Sequence, residues 1–123
     1  MVILSTLVGG VINKITVTGF AYTDSTGFES LDGEYINDGS NSRFVNGNDV
    51  VGTNAVIRWV TTDEALDFKP NKNSWCILNA NETYVMVQLG GNENDVRSIE
   101  CSNASISPLV DMTVTATVTI TVS

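Results

Sequence analysis

Apolar residues recur at every second position along most of this chain, which is the period of a β-strand and not the 3.6-residue period of a helix. The longest such stretch is VDMTVTATVTITVS at residues 110–123. One side of the predicted strand carries Val110, Met112, Val114, Ala116, Val118, Ile120 and Val122. The other side carries one aspartate and five threonines, so we expect one face on a core and the other facing water or a partner.

Shorter segments with strand character cover residues 2–8, 11–18, 34–37, 43–46, 55–60, 74–79, 83–89 and 96–101. Gly9-Gly10 predicts a hairpin between the first two. Residues 19–33 are typical of a loop, and residues 61–73, with Pro70, of a polar excursion. We therefore predict an all-β fold: a single antiparallel β-sandwich, Ig-like or jelly-roll-like, with seven to nine short strands and little or no helix, forming one domain over residues 1–123.

Both ends of the chain suggest contact with another molecule. Residues 2–8 are apolar on both faces of the predicted strand, and such a strand needs a second layer, which a partner surface would supply. The predicted terminal strand is longer than usual. Either part of it extends beyond the sheet, where its unpaired backbone groups could pair with another chain, or all of it pairs within its own domain. The predicted partner interface is Val2, Ile3, Leu4, Leu7, Val8, Thr117, Thr119 and Thr121.

Charge and hydropathy narrow the classes of partner. Fourteen acidic residues against six basic ones give a net charge of −8, which repels phosphate backbones, so we expect no nucleic acid partner. The longest weakly polar run, residues 1–12, is too short to cross a bilayer, so we expect no membrane partner. The first cation is Lys14, so a secretory leader would lack its basic start, and none is expected.

The inventory of reactive side chains argues against catalysis. The chain has no histidine, the commonest general base, so chemistry would rest on carboxylates. Asp32 and Glu34 are two residues apart, and Asp63, Glu64 and Asp67 cluster in the excursion. Nothing in their spacing selects a glycosidase pair, and solvated loop carboxylates are the simpler interpretation. We predict a protein that is not an enzyme.

No metal or other cofactor is predicted. Oxygen-rich loops of the kind that calcium uses contain Asp32, Asp38, Asp49 and Asp95, but these residues lack the spacing of an EF-hand. The sequence leaves open whether a cation binds there. Cys76 and Cys101 form either a disulfide or two buried free thiols.

Large aromatic side chains allow two interpretations. Trp59, Trp75, Tyr84, Phe44 and Tyr35 either line a ligand-stacking face or belong to the core. The core is favoured, because the two tryptophans lie in apolar strand segments.

The order of apolar anchors carries a resemblance. These anchors are VTGF at residues 17–20, LDGEY at 31–35, NSRFVN at 41–46, IRW at 57–59 and SWCI at 74–77. Over residues 15–112 they resemble small β-sandwich modules of bacteriophage virion proteins, such as capsid decoration and fibre proteins, and of bacterial surface proteins. The excursion between Trp59 and Trp75 departs from that pattern. The resemblance implies a structural or adhesive module and carries over no catalytic residue.

A virion structural protein reconciles this resemblance with the expected absence of a leader, because such a protein is made in the host cytoplasm and leaves inside the particle. We expect a bacteriophage capsid decoration or cement protein, a homo-oligomer whose partners are the major capsid protein or other virion subunits. The alternatives are a receptor- or glycan-binding module of a tail or head fibre, a subunit of an extracellular filament, and a carboxylate-based hydrolase. The alternative location to the virion is outside the cell or at the cell surface.

Overall fold

The computed structural model describes residues 11–18, 31–47, 54–99, 104–106 and 116–123. The described residues form eight strands: β1 (Lys14–Thr18), β2 (Gly33–Asn37), β3 (Arg43–Asn46), β4 (Val56–Val60), β5 (Ser74–Leu78), β6 (Val85–Gly90), β7 (Ala104–Ile106) and β8 (Ala116–Val122). Among the described residues, helical structure is limited to one turn of 3-10 helix, Val96–Ser98. The fold is all-β, as predicted.

Seven strands form one antiparallel sheet in the order β6-β5-β4-β3-β2-β1-β8, and β7 continues it by pairing with β8. The first six strands are a meander, in which each strand pairs with the next along the chain. The sheet curls into a half-barrel, and Cα atoms of β6 and β7, at its two edges, approach within 8 Å. Among the described residues there is one sheet, so the two layers of a sandwich are not confirmed.

The predicted hairpin between residues 2–8 and 11–18 is wrong for residues 14–18. One edge of β1 pairs with β2, from Lys14 opposite Ile36 to Val17 opposite Gly33. The other edge pairs with β8, from Ile15 opposite Val122 to Thr18 opposite Thr119. Both edges of β1 are therefore occupied, because pairing between distant segments prevails there over the local turn signal of Gly9-Gly10. Residues 2–8 lie outside the described residues.

One face of the sheet, which we call the inner face, carries the main core. Alternate residues of every long strand contribute to it, as the two-residue period predicts. Its buried members include Ile15, Val17, Tyr35, Phe44, Ile57, Trp75, Ile77, Val87, Leu89 and Ile120. Ile12, Leu31, Val96 and Ile99, from outside the strands, fill the same cluster. Burial of this apolar surface is the main stabilising term of the fold.

Two asparagine side chains hold the hairpin turns of the meander. At the β2–β3 turn, Oδ1 of Asn37 accepts hydrogen bonds from the backbone N–H groups of Gly39 (2.8 Å) and Asn41 (3.1 Å). At the β5–β6 turn, Oδ1 of Asn79 accepts from the N–H groups of Thr83 (2.8 Å) and Tyr84 (3.0 Å). Asparagine favours such turns because its side chain replaces a backbone acceptor.

The predicted strand at residues 96–101 is wrong where the structure describes it. Residues 96–98 form the 3-10 turn, and the Asp95 carboxylate caps it by accepting from the N–H of Arg97 (3.0 Å). Val96 and Ile99 are both buried, so the apolar spacing here is three residues and not two. Gly91 turns the chain before the cap at a φ of +89°, where a Cβ atom would lie 3.0 Å from Cδ1 of Trp75.

Candidate functional site

The opposite face of the sheet, the outer face, is the candidate interaction surface, and its two halves differ. The open half consists of the outer residues of β1, β2 and β8: Lys14, Thr16, Thr18, Glu34, Ile36, Thr119 and Thr121. The covered half includes the apolar outer residues of β4, β5 and β6: Val56, Val60, Cys76, Leu78 and Val85. Every one of these five covered side chains is buried.

The open half is a small mixed surface. Nζ of Lys14 lies 2.8 Å from Oε2 of Glu34, and this ion pair links β1 to β2. Ile36, directly opposite Lys14 in the register, is 44% exposed. Threonines flank them, since Thr16 pairs with Thr121 across β1 and β8. The open half therefore presents threonines, which favour strands, around one exposed apolar side chain and one ion pair.

The predicted interface residues fall partly on this surface. Thr121 is exposed on the open half, Thr119 is half-buried there, and Thr117 lies in β8 opposite Ser105 of β7. Val2, Ile3, Leu4, Leu7 and Val8 lie outside the described residues. Residues 119–123 pair within the same chain, alongside β1. The carbonyl of Ser123 accepts hydrogen bonds from Asn13 N–H (2.8 Å) and Lys14 N–H (3.0 Å).

Residues 61–73, the predicted excursion, cover the other half. Leu66 packs on the buried cluster of Val60, Cys76, Leu78 and Val85. The excursion also pairs in parallel with the start of β6, since Asp67 N–H donates to Thr83 O (2.8 Å) and Val85 N–H donates to Phe68 O (3.0 Å). Thr83 O and Val85 N–H, at the start of this edge strand, are thereby occupied and are not open to pairing with another chain.

An ion-pair network closes the rim of the covered half. Arg43 of β3 and Arg58 of β4 lie directly opposite each other, an arrangement of like charges that is unfavourable by itself. Glu82 lies between them, with Oε2 2.8 Å from Nη2 of Arg43 and Oε1 2.7 Å from Nε of Arg58. Arg58 also binds Glu64 of the excursion at 2.9 Å, and Arg43 binds Asp38 at 3.3 Å.

Glu82 occupies a position that glycine usually takes. Its φ is +54°, in the left-handed region that disfavours side chains with a Cβ atom. Its N–H donates to Asn79 O (2.9 Å) at the β5–β6 turn. Burial by itself raises the pKa of the Glu82 carboxyl, but hydrogen bonds from Arg43 and Arg58 and their charges outweigh it, so this pKa lies below its usual range. The arginine bridge therefore depends on a side chain that the turn alone disfavours.

The candidate catalytic carboxylates do not converge. Glu34 is engaged with Lys14 on the open half, whereas Asp32 precedes β2 and its backbone carbonyl accepts from Asn46 Nδ2 (3.3 Å). In the excursion, hydrogen bonds from Arg58 hold the pKa of Glu64 below its usual range. Asp63 accepts from the Thr61 hydroxyl, and this hydrogen bond lowers the pKa of Asp63. Arginine-bound and serine- or threonine-bound carboxylates are poor candidates for a general acid.

The candidate calcium ligands are likewise dispersed. Asp38 accepts from the N–H and hydroxyl of Ser40, which lowers its pKa, and Asp95 caps the 3-10 turn. Asp32 precedes β2, and Asp49 lies outside the described residues. Across the described part of the chain, no three His, Cys, Asp or Glu side chains converge in a group able to hold a metal ion.

The aromatic side chains belong to the core, as the core interpretation predicts. Trp75, Tyr35 and Phe44 are buried, and Trp59 and Tyr84 pack against the same cluster from its margin. Trp59 and Trp75 meet edge to face, with ring centroids 6.1 Å apart. Nε1–H of Trp75 donates to Asn92 O (2.7 Å), which satisfies its polar atom.

Cys76 is a free thiol, so the structure does not pair it with Cys101, which lies outside the described residues. It is buried beneath the excursion in the covered half. Burial raises the pKa of the Cys76 thiol to about 12. A thiol with such a pKa is a packing group and a poor nucleophile at neutral pH.

The arginine network is the feature that sequence reasoning missed. Its signal lay in the two strands themselves, since Arg43 and Arg58 alternate with the inner-face residues Phe44 and Ile57 and therefore belong to the outer face. The strand register alone brings the two arginines together, and the β5–β6 turn brings Glu82 between them.

Within the described residues there is no helix with the length and apolar character needed to cross a bilayer. Profiles of known protein families, curated protein sequences and solved structures were each compared with this chain, and none matches.

Proposed function

We propose that this protein is a virion structural protein, in the first place a bacteriophage capsid decoration or cement protein. In this role many copies bridge neighbouring capsomers by adhesion without chemistry and oppose the pressure of packaged DNA. The observation that carries the proposal is the open half of the outer face, where Ile36 is 44% exposed beside the Lys14–Glu34 ion pair. In such a contact the exposed Ile36 would be buried at the centre, and the threonines and the ion pair would form the polar rim.

Three further features support an adhesive role. Glu34 and Glu64 are engaged in ion pairs, Asp38 in a turn and Asp95 in a cap, which favours structure over catalysis. The net charge of −8 favours protein partners over nucleic acid. The excursion occupies the start of the β6 edge, which favours association through the open face over pairing at that part of the edge.

We further propose that the fold is completed as a two-layer sandwich and that the partners are those predicted from the sequence. A partner surface, from the major capsid protein, another virion subunit or a second copy of this chain, supplies the second layer that residues 2–8 require. Thr117, Thr119 and Thr121 complete the proposed contact, and the protein acts at the virion after synthesis in the host cytoplasm.

A second candidate, a receptor- or glycan-binding fibre module, is favoured by one different observation. Phe68, in the excursion, is 40% exposed. The segment after it is held by a paired contact, since Asn71 N–H donates to Gln88 Oε1 (3.1 Å) and Gln88 Nε2 donates to Asn71 Oδ1 (2.9 Å). An exposed aromatic ring on a rigid segment is a typical contact for a sugar or a receptor.

The two candidates are separated by a reciprocal pair of variants. Ile36→Glu and Phe68→Glu each place a charge at an exposed apolar position, on the open half and on the excursion respectively. For a cement protein, Ile36→Glu abolishes binding to emptied capsids and the rise in their rupture temperature, while Phe68→Glu leaves both unchanged. For a fibre module, Phe68→Glu abolishes binding to host cells or to a glycan array, while Ile36→Glu does not.

Three measurements address the remaining alternatives. Absence of the protein from purified particles would remove the virion role, and rods in electron micrographs of concentrated protein would favour the extracellular filament. If polysaccharide hydrolysis were measured, its loss in Asp32→Asn and Glu34→Gln would favour the hydrolase. Unchanged turnover in both amide variants would assign that activity to another source.

A further inference from the structure

Asn46 is the last residue of β3, Gly47 follows it, and the two form the one Asn-Gly pair in the sequence. In such a pair the backbone nitrogen of glycine attacks the Cγ carbonyl of the asparagine side chain. The new C–N bond closes a succinimide ring, and the side-chain nitrogen leaves as ammonia. Water then opens the ring to aspartate or isoaspartate. Glycine favours this reaction because it has no side chain to hinder the approach and because its backbone is unusually free.

The fold holds both reacting groups away from this path. Asn46 is 3% exposed, and its Nδ2 donates to Asp32 O at 3.3 Å. Its backbone N–H donates to Ala55 O at 2.8 Å, which ties it to the chain before β4. The attacking nitrogen is engaged as well, since Gly47 N–H donates to Glu34 O at 2.8 Å. The hydrogen bonds of the Asn46 side chain to Asp32 and of Gly47 N–H to Glu34 must both break before Gly47 N can turn toward the Asn46 side chain.

We propose that Asn46-Gly47 is a deamidation site gated by the fold, closed in the native state and reactive only when β2, β3 and β4 separate. Reaction then proceeds through the open state, so its rate scales with the population of that state. The inference concerns the lifetime of the folded chain and is independent of the proposed virion role.

The product does not fit the native site. The single proton of the Tyr35 hydroxyl is donated to Leu31 O at 2.6 Å. Asn46 also forms a side-chain hydrogen bond with Tyr35, and with that proton committed, the amide is the donor and the Tyr35 oxygen the acceptor. A carboxylate at position 46 would instead face two acceptors, the Tyr35 oxygen and the Asp32 carbonyl, in a buried place.

Isoaspartate adds a further obstacle. Its extra backbone methylene shifts the chain within a strand pair in which Tyr35 lies opposite Asn46. A chain that has reacted to isoaspartate therefore fails to return to the native state, and one that carries aspartate returns to a less stable one. Asn46 thus acts as an irreversible chemical record of opening at the β2–β3–β4 end of the sheet.

The structure offers a matched control, because the fold does not need glycine at position 47. A Cβ atom there would lie 3.6 Å from both Glu34 O and Cγ1 of Ile36, which is ordinary contact, and the backbone φ lies outside the left-handed region. Gly47→Ala should therefore fold normally while hindering the attack on Asn46.

The test incubates the whole chain in mildly alkaline buffer, with and without denaturing urea, and follows Asn46 by peptide mass spectrometry. We expect deamidation at Asn46 to be at least about 100-fold slower without urea, because the open state of a stable domain is rare. Gly47→Ala should unfold at the same temperature as the natural chain and should react several-fold more slowly in urea. Asn46→Asp, the product mimic, should unfold at a clearly lower temperature.

Three outcomes would overturn the proposal. The first is equal rates at Asn46 with and without urea, which would show that the fold does not gate the reaction. The second is an unchanged rate in urea for Gly47→Ala. The third is an Asn46→Asp chain as stable as the natural one.

Discussion

The two halves of the outer face share one row of the strand register and differ in what lies above it. The row runs from Ile36 through Val45 and Val56 to Leu78. Ile36 is 44% exposed, Val56 is 1% exposed and Leu78 is fully buried. The side chains are all aliphatic, so residue type does not explain the difference. For Leu78 the excursion at residues 61–73 does, because Leu66 packs on the cluster of Val60, Cys76, Leu78 and Val85, and that cluster contains no residue of β1, β2 or β8.

The comparison teaches that the two halves use ion pairs differently. On the covered half, Glu82 resolves the opposition of Arg43 and Arg58, and Arg58 fastens Glu64 of the excursion. On the open half, the Lys14–Glu34 pair is solvent-exposed, with 39% and 55% of the two side chains accessible. Exposed pairs contribute little to stability, whereas removal of one member of a partly buried network leaves the others unbalanced.

The largest effect is expected where the network is broken. Glu82→Ala leaves Arg43 and Arg58 opposed and keeps the unfavourable left-handed backbone, so we expect a loss of about 2 kcal/mol in the free energy of unfolding. Glu82→Gly also loses the carboxylate but relieves the backbone, so it should be about 1 kcal/mol more stable than Glu82→Ala. Urea unfolding curves measure both. Equal stability of Glu82→Ala and the natural chain would show that the bridge is unimportant.

Acid should weaken the covered half through the same network. The pKa values of Glu82, Glu64 and Asp38 are lowered in the folded state. Their stabilising contribution is therefore complete above the ordinary carboxyl pKa of about 4, and it is lost as pH falls through the lower folded values. Unfolding temperatures measured from neutral to acid pH should fall less steeply for Glu82→Gln than for the natural chain. A steeper fall for this variant would contradict the assignment.

Loosening the cover should expose the thiol beneath it. Leu66→Ala removes half-buried apolar contacts over Val60, Cys76 and Leu78, and we expect a loss of about 1 to 2 kcal/mol. The rate at which a thiol reagent labels Cys76 should rise in Leu66→Ala. Ile36→Ala, on the open half, serves as the control and should leave that rate unchanged. Equal labelling in both variants would mean that the excursion does not shield the thiol.

The smallest effect is expected on the open half. Lys14→Ala and Glu34→Ala should each change the free energy of unfolding by less than about 0.5 kcal/mol, because the pair is exposed. A double-mutant cycle measures the coupling between them, and added salt should reduce it further. If the coupling energy between Lys14 and Glu34 were as large as that between Arg58 and Glu82, the two halves would not differ in how much their ion pairs stabilise the fold.

Local patterns predicted much of the fold. The two-residue period identified β2 to β6 to within a few residues, and it placed Ile120 on the core side of β8 and Thr121 on the exposed side. It also placed the aromatic residues in the core. These features were accessible because burial of one strand face is written into the alternation of side chains. The segment at residues 96–98 misled the same reasoning, since its short apolar run has a spacing of three.

The sequence by itself determined that the chain forms strands, which side chains face the core and where most of the turns lie, because those properties depend on neighbours two to four residues apart. The tertiary structure alone decided that β1 pairs with β8, that the excursion covers one half of the outer face, and that Glu82 reaches two arginines. The β1–β8 pairing and the reach of Glu82 join segments far apart in the chain, and no local pattern specifies which distant segments meet. The excursion folds back over the strands that flank it, and no local pattern specifies which face of the sheet it covers.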